Sequence, residues 1–267
     1  MSPLLSFITA APGAGAPWGV ALSQTAGVLL LPLVWLGIAA QIEAGLSGRR
    51  GVRLLQPARD LLRALRKGAA MRPRGLLALA LALALAALAP VVGPSSPLAF
   101  HGDLAVFVGL LALYHHSQRR AGAPSRSALQ LLALVAAVLA GTQVGLDELA
   151  ASPRWTVALA CAAATLLALR VVAADRPGDV LDHGLARYLD GVVAVALSGL
   201  FAALVLPSAR GWPGVSVHLL VSLALAALVG TFAARVARPR PAARSLYFGG
   251  AALCEGLGVV LHLRGGE

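Results

Sequence analysis

Charge is scarce in this chain, and acidic residues are the scarcest. Of 267 residues 12% are charged and only 11 are Asp or Glu, whereas 58% are hydrophobic and mean hydropathy is +0.81. A soluble globular domain carries about 25% charged residues. This composition excludes an ordinary soluble domain and predicts a polytopic membrane protein. The net charge of +11 does not indicate nucleic-acid binding, because the basic residues lie in short segments between apolar runs.

Cysteine is nearly absent. The two cysteines, Cys161 and Cys254, both lie in apolar runs and have neither CxxC nor metal-ligand spacing. They are interpreted as small buried apolar residues. The six histidines also lack metal spacing, and the sequence contains no phosphate-binding loop or nucleophile elbow. The sequence therefore predicts no catalytic residue and no metal site in this chain.

Long apolar runs dominate what is present. About twenty apolar residues rising 1.5 Å each match a hydrocarbon layer of roughly 30 Å, and backbone groups unpaired in lipid require such spans to be helical. The predicted spans are 20–42, 75–93, 99–116, 127–146, 154–173, 189–207, 214–234 and 246–263. The predicted fold class is an all-α polytopic membrane helix bundle of about eight transmembrane helices, forming one integral membrane domain over 1–267.

The distribution of basic residues predicts an orientation. With the N-terminus outside, the cytoplasmic segments hold nineteen Lys and Arg residues and the outer segments hold three. The positive-inside rule favours this arrangement, with both termini outside and the chain in a bacterial or archaeal cell membrane.

The most basic segment is 48–74, which holds nine of the 22 basic residues. Within it, leucines recur near helical spacing over Val52–Lys67, with charged residues between them, which predicts an amphipathic cytoplasmic helix. Pro57 marks its first turn and Gly68 its end. One interpretation is an interfacial helix whose arginines meet anionic lipid headgroups.

The residues in and just before this segment favour a second interpretation. They are Gln41-Ile42-Glu43, then Gly48-Arg49-Arg50-Gly51, then Leu55-Gln56-Pro57-Ala58-Arg59-Asp60-Leu61-Leu62, and then Lys67. This pattern resembles the membrane subunit shared by respiratory complex I and the energy-converting nickel–iron hydrogenases, the NADH dehydrogenase subunit 1 / formate hydrogenlyase subunit 4 type. Val52 and Arg63 replace the proline and lysine usual in that family. The short loop is closer to the hydrogenase branch.

Five further short segments resemble the family more weakly and occur along the chain in the same order as in the family. Other positions differ from the family's pattern. The similarities are Gly102-Asp103-Leu104, Gly141-Thr142, Leu189-Asp190, Leu204–Pro207 and Thr231–Arg235. Ser127 and Gly230 stand where the family has acids, and the loop after the fifth span is reduced. These departures argue against a complete quinone cavity and a complete proton-loading chain.

The resemblance implies a non-catalytic membrane-anchor subunit of an oxidoreductase complex. It would dock a hydrophilic hydrogenase-like or quinone-module arm and adjoin antiporter-like membrane subunits. Iron–sulfur clusters and a nickel–iron centre are expected in those partners, and no cofactor in this chain. The expected docking residues are Arg49, Arg50, Arg53, Gln56, Pro57, Arg59, Asp60 and Arg63.

Carboxyl groups within or near spans are the candidates for ion coupling, because they are costly at membrane depth. Glu43, Asp103 and Asp190 lie near predicted span ends, where a simple interfacial role is equally open. Glu255 lies about ten residues into the last span, where it serves either coupling or close helix packing beside glycines.

The alternative function is a stand-alone transporter or structural membrane protein. Transporters often show paired repeats and midplane binding groups. The sequence shows no repeat and one mid-span acid. The electron donor and acceptor, the choice of proton or sodium, quinone binding and the retention of ion pumping stay open at this stage.

Overall fold

The computed structural model describes residues 18–51, 53–66, 73–89, 106–107, 109–111, 113–114, 180–206, 211–236 and 260. All regular secondary structure within these ranges is α-helical, as the composition predicts. The helices are α1 (Trp18–Leu46), α2 (Gln56–Arg66), α3 (Pro73–Leu88), α4 (Val180–Val205) and α5 (Gly211–Val236). Three helical residues between them, Phe107, Leu111 and Tyr114, are buried in the same core.

The end of α1 is set by a glycine. Gly48 has a φ of 69°, a backbone conformation that residues with a Cβ rarely adopt. The Arg49 amide donates to the Ala44 carbonyl at 2.9 Å, and the Gly48 amide donates to the Gly45 carbonyl at 3.3 Å. This pair of bonds is a Schellman cap, which satisfies the last carbonyls and reverses the chain.

After the cap, the chain runs back along α1. Gly51 lies against the Gln41 side chain, and the Leu54 backbone lies against Gly37. A Cβ at position 37 would overlap the Leu54 carbonyl, so glycine permits this approach. The predicted amphipathic helix is observed as α2, which packs against α4 and α1.

Helix α4 is the centre of the described bundle. It contacts α1, α2, α3 and α5, and every residue from 189 to 200 is buried. The helix begins at Val180, nine residues before the predicted span 189–207. Asp190 is therefore the eleventh residue of the helix, well inside it.

Helices α1 and α5 pack through small residues. Ala39, Ala40 and Ala44 of α1 are buried, as are Ala226 and Ala234 of α5. Small residues let two backbones approach closely, as in membrane helix pairs. The contact joins the C-terminal parts of both helices, where Gly230 lies against Ala39 and Ile42.

Two described segments, Ala26–Leu46 and Gly214–Thr231, are long and apolar enough to cross a membrane. They coincide with the first and seventh predicted spans. The apolar segment Leu76–Leu88 of α3 is shorter and falls within the second. The predicted spans 127–146 and 154–173, most of 99–116, and 246–263 apart from Val260 lie outside the described residues, as do both cysteines.

Candidate functional site

The first site is the segment from Arg49 to Arg63. Its five predicted docking arginines are all exposed: Arg49, Arg50, Arg53, Arg59 and Arg63. Pro57, by contrast, is buried, and it fixes the first turn of α2 against the bundle. The arginines are thus presented outward from a segment that is anchored at its centre.

The two polar members of the predicted docking set contact each other. The Gln56 side-chain amide donates to Asp60 Oδ1 at 2.8 Å, across one turn of α2. Hydrogen bonds at this spacing stabilise a helix by a few tenths of a kcal/mol. The bond sets the orientation of the one acidic side chain in a basic surface. Planar guanidinium groups bind carboxylates in pairs of parallel hydrogen bonds, so the surface is suited to an acidic partner.

The second site is a buried carboxyl–hydroxyl pair. The Tyr114 hydroxyl donates to Asp190 Oδ1 at 2.7 Å, although the two residues are 76 positions apart in the chain. Tyr114 is 1% exposed and Asp190 is 5% exposed. Asp190 therefore lies in the core of the described bundle, and not on an exposed helix end.

The turn of α4 that carries Asp190 also packs against α1. Gly191 packs against Leu36 and Pro32, and the Tyr188 hydroxyl donates to the Leu29 carbonyl at 3.2 Å. Because Pro32 has no N–H, its turn of α1 lacks one helical hydrogen bond. The Asp190 region thus faces a locally weakened turn of the first span.

Of the other predicted carboxyls only Glu43 belongs to the described residues, and it lies apart from the turn of α1 that faces Gly191. Glu43 is half-buried near the end of α1, seven residues after Leu36, which is roughly 10 Å along the helix axis. Asp103 and Glu255 lie outside the described residues.

Several buried polar residues, among them Tyr114, His218 and Ser222, have no counterpart among the site residues predicted from the sequence. Tyr114 belongs to the pair with Asp190, and nothing local signals its distant partner. His218 and Ser222 lie one turn apart on α5, at 0% and 1% exposure. The Leu206 backbone lies near the His218 ring, and the Ser222 hydroxyl makes no hydrogen bond within the described part of the chain. The sequence signal that could have identified His218 and Ser222 is two polar residues four positions apart in an apolar helix.

No cluster of three or more potential metal ligands occurs among the described residues.

Gly230 lies in a tight part of the α1–α5 interface. A Cβ here would lie 2.5 Å from the Ala39 carbonyl oxygen and 3.0 Å from the Ile42 Cβ. The close approach of the two helices occupies the space that an acidic side chain would need.

Replacing Tyr114 with Phe tests the buried pair. The change removes the hydroxyl that donates to a buried carboxyl, and we expect the free energy of unfolding to fall by about 1–3 kcal/mol. Tyr188→Phe is the matched control, because it removes a longer hydrogen bond at an exposed position and should cost less than about 1 kcal/mol. Unfolding of the purified chain by denaturing detergent measures both. An equal or smaller loss for Tyr114→Phe would contradict the assigned hydrogen bond.

Comparison with models of protein families and with curated proteins finds no match to this chain.

Proposed function

We propose that this chain is the membrane-anchor subunit of a multi-subunit oxidoreductase of the formate hydrogenlyase or complex I type. It docks a soluble electron-transfer arm and couples that arm to ion translocation. In this proposal the chain crosses a bacterial or archaeal cell membrane eight times with both termini outside. It catalyses no reaction itself.

One observation carries the proposal. The segment that resembles the family's first loop holds five exposed arginines on an anchored support. A docking surface gains affinity when its groups are held in place before binding, since less conformational entropy is lost. The Gly48 cap, the Gly37–Leu54 contact and buried Pro57 provide such restraint.

Charge complementarity defines the partner's surface. An acidic patch on the soluble arm would be steered toward the arginines and oriented by them. Iron–sulfur clusters, and a nickel–iron centre in a hydrogenase-type complex, would belong to that arm. Antiporter-like subunits would adjoin this chain within the membrane.

The buried Asp190–Tyr114 pair supports the coupling part of the proposal. A carboxyl enclosed in an apolar helix bundle is a functional candidate, because burying it is costly. Its position beside the Pro32 turn of α1 connects it to the span from which the docking segment emerges. In this proposal, a displacement of the docking segment shifts α1 and thereby changes the surroundings of the Asp190 carboxyl.

The deciding experiment is a mild-detergent pulldown of the tagged chain, with mass spectrometric identification of partners and an iron assay. We expect stoichiometric iron–sulfur and antiporter-like subunits in the eluate. A monodisperse, iron-free chain that transports a solute after reconstitution would instead establish the transporter alternative.

A further inference from the structure

An alternating stripe of leucine and arginine runs along the outward edge of α2. Arg59, Leu62 and Arg66 of α2 and Leu55, which directly precedes it, are spaced by four, three and four residues, the spacing of one helix face. Leu55 is 54% exposed, Leu62 is 55% and neighbouring Leu65 is 60%. Both arginines are exposed. The bundle therefore leaves the apolar members of this face uncovered.

The return of the chain along α1 places this stripe at the edge of the bilayer. Leu54 lies against Gly37, five residues before the predicted end of the first span. Five residues of helix correspond to about 7 Å. Helix α2 thus begins below the cytoplasmic end of the span, near the boundary between headgroups and acyl chains, where amphipathic helices lie.

We propose that the Leu55–Arg66 stripe is a binding surface for anionic phospholipid. Leu55, Leu62 and Leu65 contact acyl chains, and the Arg59 and Arg66 guanidiniums bind the phosphates above them. Arginine suits this position because its apolar stem lies along hydrocarbon while its charged head reaches the headgroup.

The inference rests on the membrane location in the proposed function, and it divides the basic surface in two. Arg49, Arg50 and Arg53 lie in the loop before α2 and remain available to the soluble arm. Arg59 passes from the predicted docking set to the lipid surface, and Arg66 is outside that set. A leucine repeat at this depth has the chemistry of a lipid contact, because a soluble arm would reach it only by displacing acyl chains.

Spin labels test the location of the stripe in the full-length chain. A cysteine replaces Leu62 in a Cys161→Ala, Cys254→Ala background, and the protein is reconstituted in phosphatidylcholine vesicles with and without phosphatidylglycerol. The matched reference is a label at Leu220, which is 66% exposed on α5. We expect both labels to collide more with oxygen, which dissolves in lipid, than with a water-soluble nickel complex.

The reference separates the two proposals. A lipid-exposed Leu220 label with a water-exposed or fully protected Leu62 label would overturn the lipid surface and leave the membrane location intact. A water-exposed Leu220 label would overturn the membrane location itself. A Leu62 label that loses oxygen access only when partner subunits bind would assign the stripe to protein docking and overturn the inference.

Arginine substitutions test the headgroup chemistry. Native mass spectrometry of mixed-lipid nanodiscs measures the preference of the chain for phosphatidylglycerol over phosphatidylcholine. Arg59→Gln with Arg66→Gln should lower this preference by about fivefold per arginine. The control pair, Arg49→Gln with Arg50→Gln, should lower it less. An equal loss from both pairs, or no loss from the stripe pair, would overturn the assignment.

Discussion

In the proposed complex, replacing Arg49 and Arg50 with glutamate is expected to release the soluble arm. Both side chains are exposed at the Gly48 cap, so a charge reversal there leaves the buried packing of the bundle unchanged. Like charges brought together at an interface cost several kcal/mol, so the affinity should fall by roughly 100-fold or more. The measurement is recovery of iron and partner subunits with the tagged chain in the mild-detergent pulldown.

Two controls make this result specific. Arg49→Lys with Arg50→Lys keeps the charge and should retain most of the arm, with some loss of the paired hydrogen bonds that only guanidinium makes. The amount of reversed chain in the membrane fraction should be unchanged, because the substitutions leave the spans intact. Normal recovery of iron with both charges reversed would refute docking through this loop.

Introducing an acid at position 230 is expected to disrupt the bundle. In Gly230→Glu, even the Cβ would collide with the Ala39 carbonyl, and the carboxylate would enter a contact between two apolar helices. Overpacking costs about 1–3 kcal/mol, and a charge at membrane depth adds about 2.5 kcal/mol or more. We expect loss of more than about 3 kcal/mol in the free energy of unfolding, or failure of the chain to accumulate.

Alanine substitutions separate the steric part of this effect. Gly230→Ala introduces only the colliding Cβ and should cost an intermediate amount. Gly45→Ala is the matched control, because a Cβ there meets nothing within 4 Å, and it should stabilise α1 by about 0.5–1 kcal/mol. If Gly230→Glu unfolds like the parent chain, the α1–α5 packing assigned to this position is wrong.

The parts of the fold that the sequence predicts are those that depend on local patterns. Uninterrupted apolar length predicts α1 and α5, and leucine spacing with Pro57 near the start predicts α2. The return of the chain onto Gly37 is not predictable in this way. It depends on a backbone contact between positions 37 and 54, and a glycine inside an apolar helix is equally compatible with close packing against another helix.

In the candidate site too, features that depend on neighbouring residues are predictable from the sequence, and features that depend on distant contacts are not. The arginine cluster is visible in the sequence because its members are neighbours. The apolar run that begins near Asp190 predicts a helix end there, but the helix begins ten residues earlier at Val180. Hydropathy marks where apolar residues begin, whereas the backbone continues its helix through polar ones. The Tyr114 partner could not be inferred, because 76 residues separate it from Asp190.

The packing of α1 on α5 has a consequence for biogenesis. Helix α1 has one of its principal neighbours in α5, which ends about 190 residues after α1 ends. At ordinary translation speeds, about 190 residues take on the order of ten to forty seconds to synthesise. During that interval the alanine face of α1 must be shielded by lipid, by the insertion machinery or by a neighbouring subunit. Ribosome stalling before α5 should therefore yield a chain that is inserted yet unusually sensitive to membrane quality-control proteases.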